Sequence, residues 1–335
     1  MVRNEFRKLY IALALLAAAL VLLVALCFGL DAKYAQNNTV TDSLDVSVAA
    51  GGKKYILKSG MDFRNEIQGR TFGGDTGIEA KSVSFCRSLE LLPEGVQKTD
   101  IYLNIPASAK IELYIANRDD STRTADFYVT AAEGAGIIYA NPDASSMFAT
   151  LTKLETINFT GCNFTLTESM KDMFNTCDSL KSVDFKFLKA PLLKETETMF
   201  LNCKNLVSVD MGNIDFANTT VMRSMFRNCP ALTEVKFKKM NANSVTSTSD
   251  MFDGCSSLKT LDLSGLGSAK LGARSDMFSG CSSLERVTFG KDYVSPTTDG
   301  EDSGCLPANG TGKWYAVSNN AAYAPNEIPT AADTY

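Results

Sequence analysis

The sequence predicts an α/β repeat fold: a solenoid of about six 26-residue coils, with a β-rich N-terminal cap region and a small C-terminal cap. Three observations predict it. Met-Phe pairs begin at Met147, Met173, Met199, Met225, Met251 and Met277, each 26 residues after the last, an interval typical of stacked repeats. Positions read down the copies stay apolar or stay polar. Each copy ends on an alternation with strand period.

At the N-terminal end, Arg3, Arg7 and Lys8 precede an uncharged run at residues 9–30. Cleavable signals have apolar cores of about 7–15 residues, whereas a spanning helix needs about 20. Residues 1–35 are therefore expected to form an uncleaved signal anchor. The basic flank would stay inside and everything after Asp31 would be exported, giving a cell-surface protein held in the membrane through residues 9–30. The competing expectation is a protein secreted after cleavage near Ala32 or Ala35. Cys27 follows Leu26, where a lipidation site would want a small residue.

Residues 36–145 read as short strands and turns. Alternation shows in "LDVSV" (44–48), "IYLNI" (101–105) and "IELYI" (111–115), with glycine punctuation at Gly51, Gly52, Gly73 and Gly74. "AKSVSF" (80–85) has the ending of a repeat and reads as a degenerate coil. Repeat stacks need atypical ends, so this region is expected to cap the stack and space it from the membrane, the alternative being a separate binding domain.

Within residues 146–290, Ser146, Asp172, Thr198, Ser224, Asp250 and Asp276 stand before each Met. Their side-chain oxygens suit the free N–H groups of a starting helical turn, so Met-Phe is expected to open a short helix or 3-10 turn. Cys177, Cys203, Cys229, Cys255 and Cys281 follow four after the Met, with Leu151 in the first copy; Leu154, Leu180, Leu206, Leu232, Leu258 and Leu284 follow seven after it. Next come Ile157, Val183, Val209, Val235, Leu261 and Val287, then Phe159, Phe185, Met211, Phe237, Leu263 and Phe289. L-x-x-V-x-F is the spacing of a leucine-rich repeat, so the solenoid is expected to be leucine-rich-repeat-like.

The combination M-F-x-x-C-x-S-L, as in "DMFDGCSSLKTLDLSG", resembles the BspA-like bacterial surface proteins over residues 144–290. The stretch before each Met-Phe departs from that pattern in "KETETMF" and "LGARSDMF". The resemblance implies adhesion to host or bacterial surface molecules. Residues 291–335, with Trp314, Tyr315 and Tyr323, are expected to cover the open core of the last coil.

A net charge of −5 leaves no basic footprint, so nucleic acid is not an expected partner. The chain has no His, the commonest general base and metal ligand, which weighs against an enzyme and against a metal or other cofactor. Nine cysteines in an exported chain suggest disulfides. The column, however, is odd-numbered and accepts Leu151, as a small buried apolar site would. No C-x₂-C pair supports zinc. Cys162 falls at another core position, and Cys86 and Cys305 could be linked. "LPANG" (306–310) approximates a sorting signal but reads better as a turn.

The residues flanking the central apolar one in each strand should face solvent. They form one row through Thr156, Ser182, Ser208, Glu234, Thr260 and Arg286, and another through Asn158, Asp184, Asp210, Lys236, Asp262 and Thr288. The candidate binding face is Asp184, Asp210, Glu234, Lys236, Asp262 and Arg286. Asp184 and Asp210, about 5 Å apart in water, repel by roughly 0.8 kcal/mol, which folding alone gives no reason to keep; the alternative is that so small a penalty is simply tolerated on a solvated surface. They match the spacing of a retaining glycosidase pair, but catalytic carboxylates flank a substrate and one needs burial. The expected function is therefore a cell-surface leucine-rich-repeat binding protein, not an enzyme, taking a protein or glycan ligand on this face. The alternative is a structural envelope protein engaging its own cell wall or neighbouring surface proteins.

Overall fold

The partners taken by the backbone N–H groups of the Met-Phe segments decide the architecture, because a buried N–H must be paired. Phe148 N–H donates to the Met173 carbonyl (2.8 Å), and Phe174, Phe200, Phe226 and Phe252 donate in the same way to the Met one interval further on (2.8–2.9 Å). Thr150 N–H likewise reaches Asn175 O at 2.7 Å. The intervening N–H groups close tight turns, as Ala149 does on Ser146 O (3.1 Å). None of them builds a helix.

Backbone angles give the same answer. Ser146, Asp172, Thr198, Ser224, Asp250 and Asp276 all have φ of 53–58°. A residue in the left-handed region cannot start a right-handed helix. Four residues on, Thr150, Thr176, Asn202, Asn228, Gly254 and Gly280 turn left-handed again, so each Met-Phe segment is a turn and its leading residue is not a helix cap.

The computed structural model describes residues 54–68, 70–72, 75–87, 89–102, 111–131, 137–238, 240–267, 272–290, 306, 314–315, 322–323 and 333–334, all within the unit Lys54–Tyr335. Strand β1 (Lys54–Ile56) leads into helix α1 (Gly60–Ile67). There follow β2 (Arg70–Phe72), β3 (Asp75–Cys86), a 3-10 turn at Leu89–Leu91, β4 (Gln97–Tyr102), β5 (Ile111–Asp119), β6 (Thr124–Ala131) and β7 (Ile137–Tyr139). The repeated segment contributes β8 (Thr156–Asn158), β9 (Cys162–Asn163), β10 (Ser182–Asp184), β11 (Ser208–Asp210), β12 (Glu234–Lys236), β13 (Thr260–Leu263) and β14 (Arg286–Phe289). Three two-residue strands close the series: β15 (Trp314–Tyr315), β16 (Ala322–Tyr323) and β17 (Asp333–Thr334).

The expected α/β leucine-rich-repeat-like solenoid is therefore corrected. The molecule is mostly β: α1 is the only α-helix among the described residues, it lies ahead of the Met-Phe series, and the strands divide among several small sheets. In one sheet β10, β11 and β12 run parallel with Val183, Val209 and Val235 in register; β13 and β14 pair separately. The largest sheet has the order β2-β3-β6-β5-β4, with β8 added to β3.

No helix among the described residues is long and apolar enough to cross a membrane. This overturns the membrane-anchored surface location as a reading of the described chain. Residues 9–30, where the spanning helix was expected, lie outside the described residues, as do "LDVSV" and Cys27.

One apolar core runs from Tyr55 to Trp314. Its spine is a stack of the Met-Phe rings: Phe148, Phe174, Phe200, Phe226 and Phe252 follow one another at 5.2–5.4 Å with planes within 12° of parallel, and Phe278 follows at 6.1 Å. A second short stack sets Phe85 on Phe159 and Phe159 on Phe185. Helix α1 brings Phe63 edge-on to Phe148 at 5.8 Å. It can approach because residue 60 is glycine: a Cβ there would meet Ser145 O at 2.1 Å.

The cysteine column sits inside this core. Cys177, Cys203, Cys229, Cys255 and Cys281 are buried free thiols. Each donates to the carbonyl of the Phe 29 residues earlier at 3.0–3.1 Å, from Cys177 on Phe148 to Cys281 on Phe252. Cys86 is also a free thiol, and Cys305 lies outside the described residues.

Candidate functional site

The apolar centre of each short strand dictates which way its neighbours point. Val183, Val209, Val235, Leu261 and Val287 are buried, so the residues on either side face away from the core. Ser182, Asp184, Glu234, Lys236, Thr260, Asp262 and Arg286 are exposed, and Ser208, Asp210 and Thr288 half-buried. Register brings Asp184 opposite Asp210 and Asp210 opposite Lys236. It sets Glu234 beside Ser208, Arg286 beside Thr260 and Asp262 beside Thr288. All six candidate residues thus lie on outward strand positions.

Their electrostatics differ along the row. Glu234 and Lys236, two apart on one strand, form an exposed ion pair at 2.9 Å, and Glu234 holds the Lys236 ammonium above its usual pKa. Asp184 and Asp210 each use one oxygen on the turn that follows: Asp184 Oδ1 accepts from Lys186 N–H at 2.7 Å and Asp210 Oδ1 from Gly212 N–H at 2.8 Å. Asp262 does the same for Ser264 N–H at 2.9 Å. These bonds tie strand to turn, so folding does have a use for the column. The use does not require charge, because Asn158 at the same position accepts from Thr160 N–H at 2.9 Å.

The outward row continues where the repeat spacing stops. Ser84 of β3 lies opposite Asn158, and Tyr128 of β6 opposite Ser84. Tyr114 of β5 lies opposite Tyr128, and Lys98 of β4 opposite Tyr114. Both tyrosines are half-buried. The Tyr114 hydroxyl donates to Glu112 Oε2 at 2.9 Å, and the almost fully buried Glu112 carboxylate meets Lys98 Nζ at 2.5 Å. Burial, and then the Glu112 carboxylate, push the Tyr114 hydroxyl above its ordinary pKa; burial and nearby Asp126 do the same at Tyr128. Asp126 is itself held by Ser82 Oγ (2.7 Å) and Asn117 Nδ2 (2.8 Å).

Sequence spacing located the row only from Asn158 onward, because a 26-residue period cannot reveal an antiparallel hairpin inserted ahead of it. The available signal was the polar alternation of "AKSVSF" and "IELYI", which put Ser84 and Tyr114 on outward positions.

Residues 194–299 are similar to a family described as Mycoplasma protein of unknown function, DUF285. That stretch is less than half of the chain; it holds β11 to β14, and with them five of the six candidate residues. The chain matches no curated protein and no solved structure.

Among the described residues no group of three His, Cys, Asp or Glu could hold a metal ion. The column thiols are poor ligands and nucleophiles where they sit: burial raises Cys177, Cys203 and Cys255 well above their ordinary pKa, and Cys281 to about 12. The outward row offers carboxylates, hydroxyls, amides and two aromatic faces on a solvated surface. That chemistry makes hydrogen bonds and ion pairs.

Proposed function

We propose that the chain is a non-enzymatic binding protein, acting in adhesion, that takes a protein or glycan ligand on the outward strand face. The observation that carries the reading is charge beyond what the turns need: Asn158 serves its turn uncharged, yet Asp184 and Asp210 stand side by side as carboxylates. Their retention is accounted for by a ligand that meets them. The resemblance of the Met-Phe/Cys/Ser-Leu spacing to BspA-like adhesins points the same way.

The test is attachment of the full chain to immobilised matrix proteins and to purified wall polysaccharide, compared with the triple variant Asp184→Asn/Asp210→Asn/Asp262→Asn. The variant keeps every turn acceptor, so its melting temperature should be unchanged while attachment weakens and loses salt dependence. Full attachment by the folded variant would move the site off the row.

A further inference from the structure

We infer that the face accepts an extended, positively charged polypeptide segment, with Tyr114 and Tyr128 as its aromatic anchors; this deepens, and rests on, the binding reading above. Shape is the first argument. Register joins Lys98, Tyr114, Tyr128, Ser84 and Asn158 in one sheet, Asp184, Asp210 and Lys236 in a second and Asp262 and Thr288 in a third, with β10 lying near β8 and β13 near β12. The strip is thus built of paired runs, about 19 Å across the first five strands and about 10 Å across the next three at about 4.8 Å per strand step. It is narrow, because β10, β11 and β12 have three residues each, of which two face outward. A linear chain fits such a strip better than a globular surface does.

Charge is the second. Of the outward cations, Lys98 and Lys236 are already paired with Glu112 and Glu234 and Arg286 lies away from the carboxylate pair beside Thr260, whereas Asp184 and Asp210 adjoin each other with only backbone hydrogen-bond donors on them among the described residues, Asp210 also facing Lys236. The site is thus complementary to lysine and arginine side chains. The third argument is the tyrosines, since cations bind over aromatic faces and tyrosine is favoured where interface energy concentrates. At one end of the strip a basic side chain would find a ring face beside the Asp126 carboxylate.

Fluorescence anisotropy of the full chain tests this with three labelled probes: an arginine- and lysine-rich oligopeptide long enough to span the strip, a glutamate-rich peptide of equal length, and a neutral glucan. The basic peptide should bind and the other two should not. Tyr128→Thr should weaken binding about two- to fivefold, and Asp184→Asn/Asp210→Asn about three- to tenfold. The matched control Asp215→Asn removes the same kind of charge from an exposed turn acceptor off the row and should change nothing. Tyr114→Phe provides a second anchor variant that leaves the ring in place and should retain most binding. Equal weakening by Asp215→Asn, indifference to Tyr128→Thr, or preference for the glucan overturns the inference. Failure of the basic peptide alongside continued attachment to matrix or wall material defeats the inference and leaves the binding reading standing; no attachment to anything defeats both.

Discussion

Asp210 carries two roles that its chemistry can separate, an acceptor for Gly212 N–H and a charge beside Asp184. Asp210→Asn should melt with the wild type, while Asp210→Ala leaves the turn donor without its partner and should lower stability by about 1 kcal/mol; indistinguishable thermal melts would show the turn bond to be dispensable. The cysteine column makes a second residue-scale prediction. Burial raises Cys281 from its ordinary 9.0 to about 12. Below pH 9 both folded and unfolded thiols are protonated, so the site adds no pH dependence. Between about 9 and 12 only the unfolded thiol ionises, so stability should fall as pH rises through that window. Denaturant titrations at rising pH should show the folding midpoint dropping above pH 9, and the column cysteines should resist alkylation until the chain unfolds. Early alkylation of the folded protein, or adjacent column members found cross-linked, would contradict the buried thiols. That this column is buried was legible from Leu151 standing in its first place. Its donation to the Phe carbonyls was not, because the acceptor lies 29 residues away.

At the scale of the element, the Met-Phe turn is held by a ring stack and a backbone ladder. Phe252 is fully buried between Phe226 and Phe278. Phe252→Ala should cost about 3–5 kcal/mol, whereas Lys259→Ala, trimming an exposed side chain, should cost under about 0.5. Equilibrium unfolding in denaturant separates the two, and similar small losses would show that the stack carries little stability. Reading these turns as helix starts failed for a physical reason. Ser, Thr and Asp suit a helix cap, and Asp and Asn also tolerate the left-handed region. Only the partner of the following N–H groups decides between the two, and that partner is the Met of the next segment.

For the whole molecule, the edge of the last repeat strand matters most. Strand β17 covers β14 antiparallel, pairing Thr334 with Thr288 and Asp333 with Phe289. Trp314 and Leu306 are buried as part of the same core. Removing residues 333–335 should uncover the β14 edge and promote edge-to-edge association. Light scattering should then show concentration-dependent oligomers absent from the intact chain, and a strictly monomeric truncation would mean that the edge is protected otherwise. At the opposite end β8 pairs with β3 as a member of the six-stranded sheet, and β10 begins a separate sheet beside it.

The sequence alone determined which positions are buried and which strand residues face out, because positions one interval apart occupy equivalent places and Val183, Val209 and Val235 therefore share one environment. It also established that the face is polar and free of histidine. Tertiary structure decided the rest. The left-handed turns, the division into small sheets, the cysteine bonds to Phe carbonyls 29 residues earlier, and the arrival of Tyr114 and Tyr128 on the row all depend on where distant segments come to lie. Side-chain period reports a residue's face, whereas hydrogen-bond partners 26 or more residues away are chosen only when the chain packs.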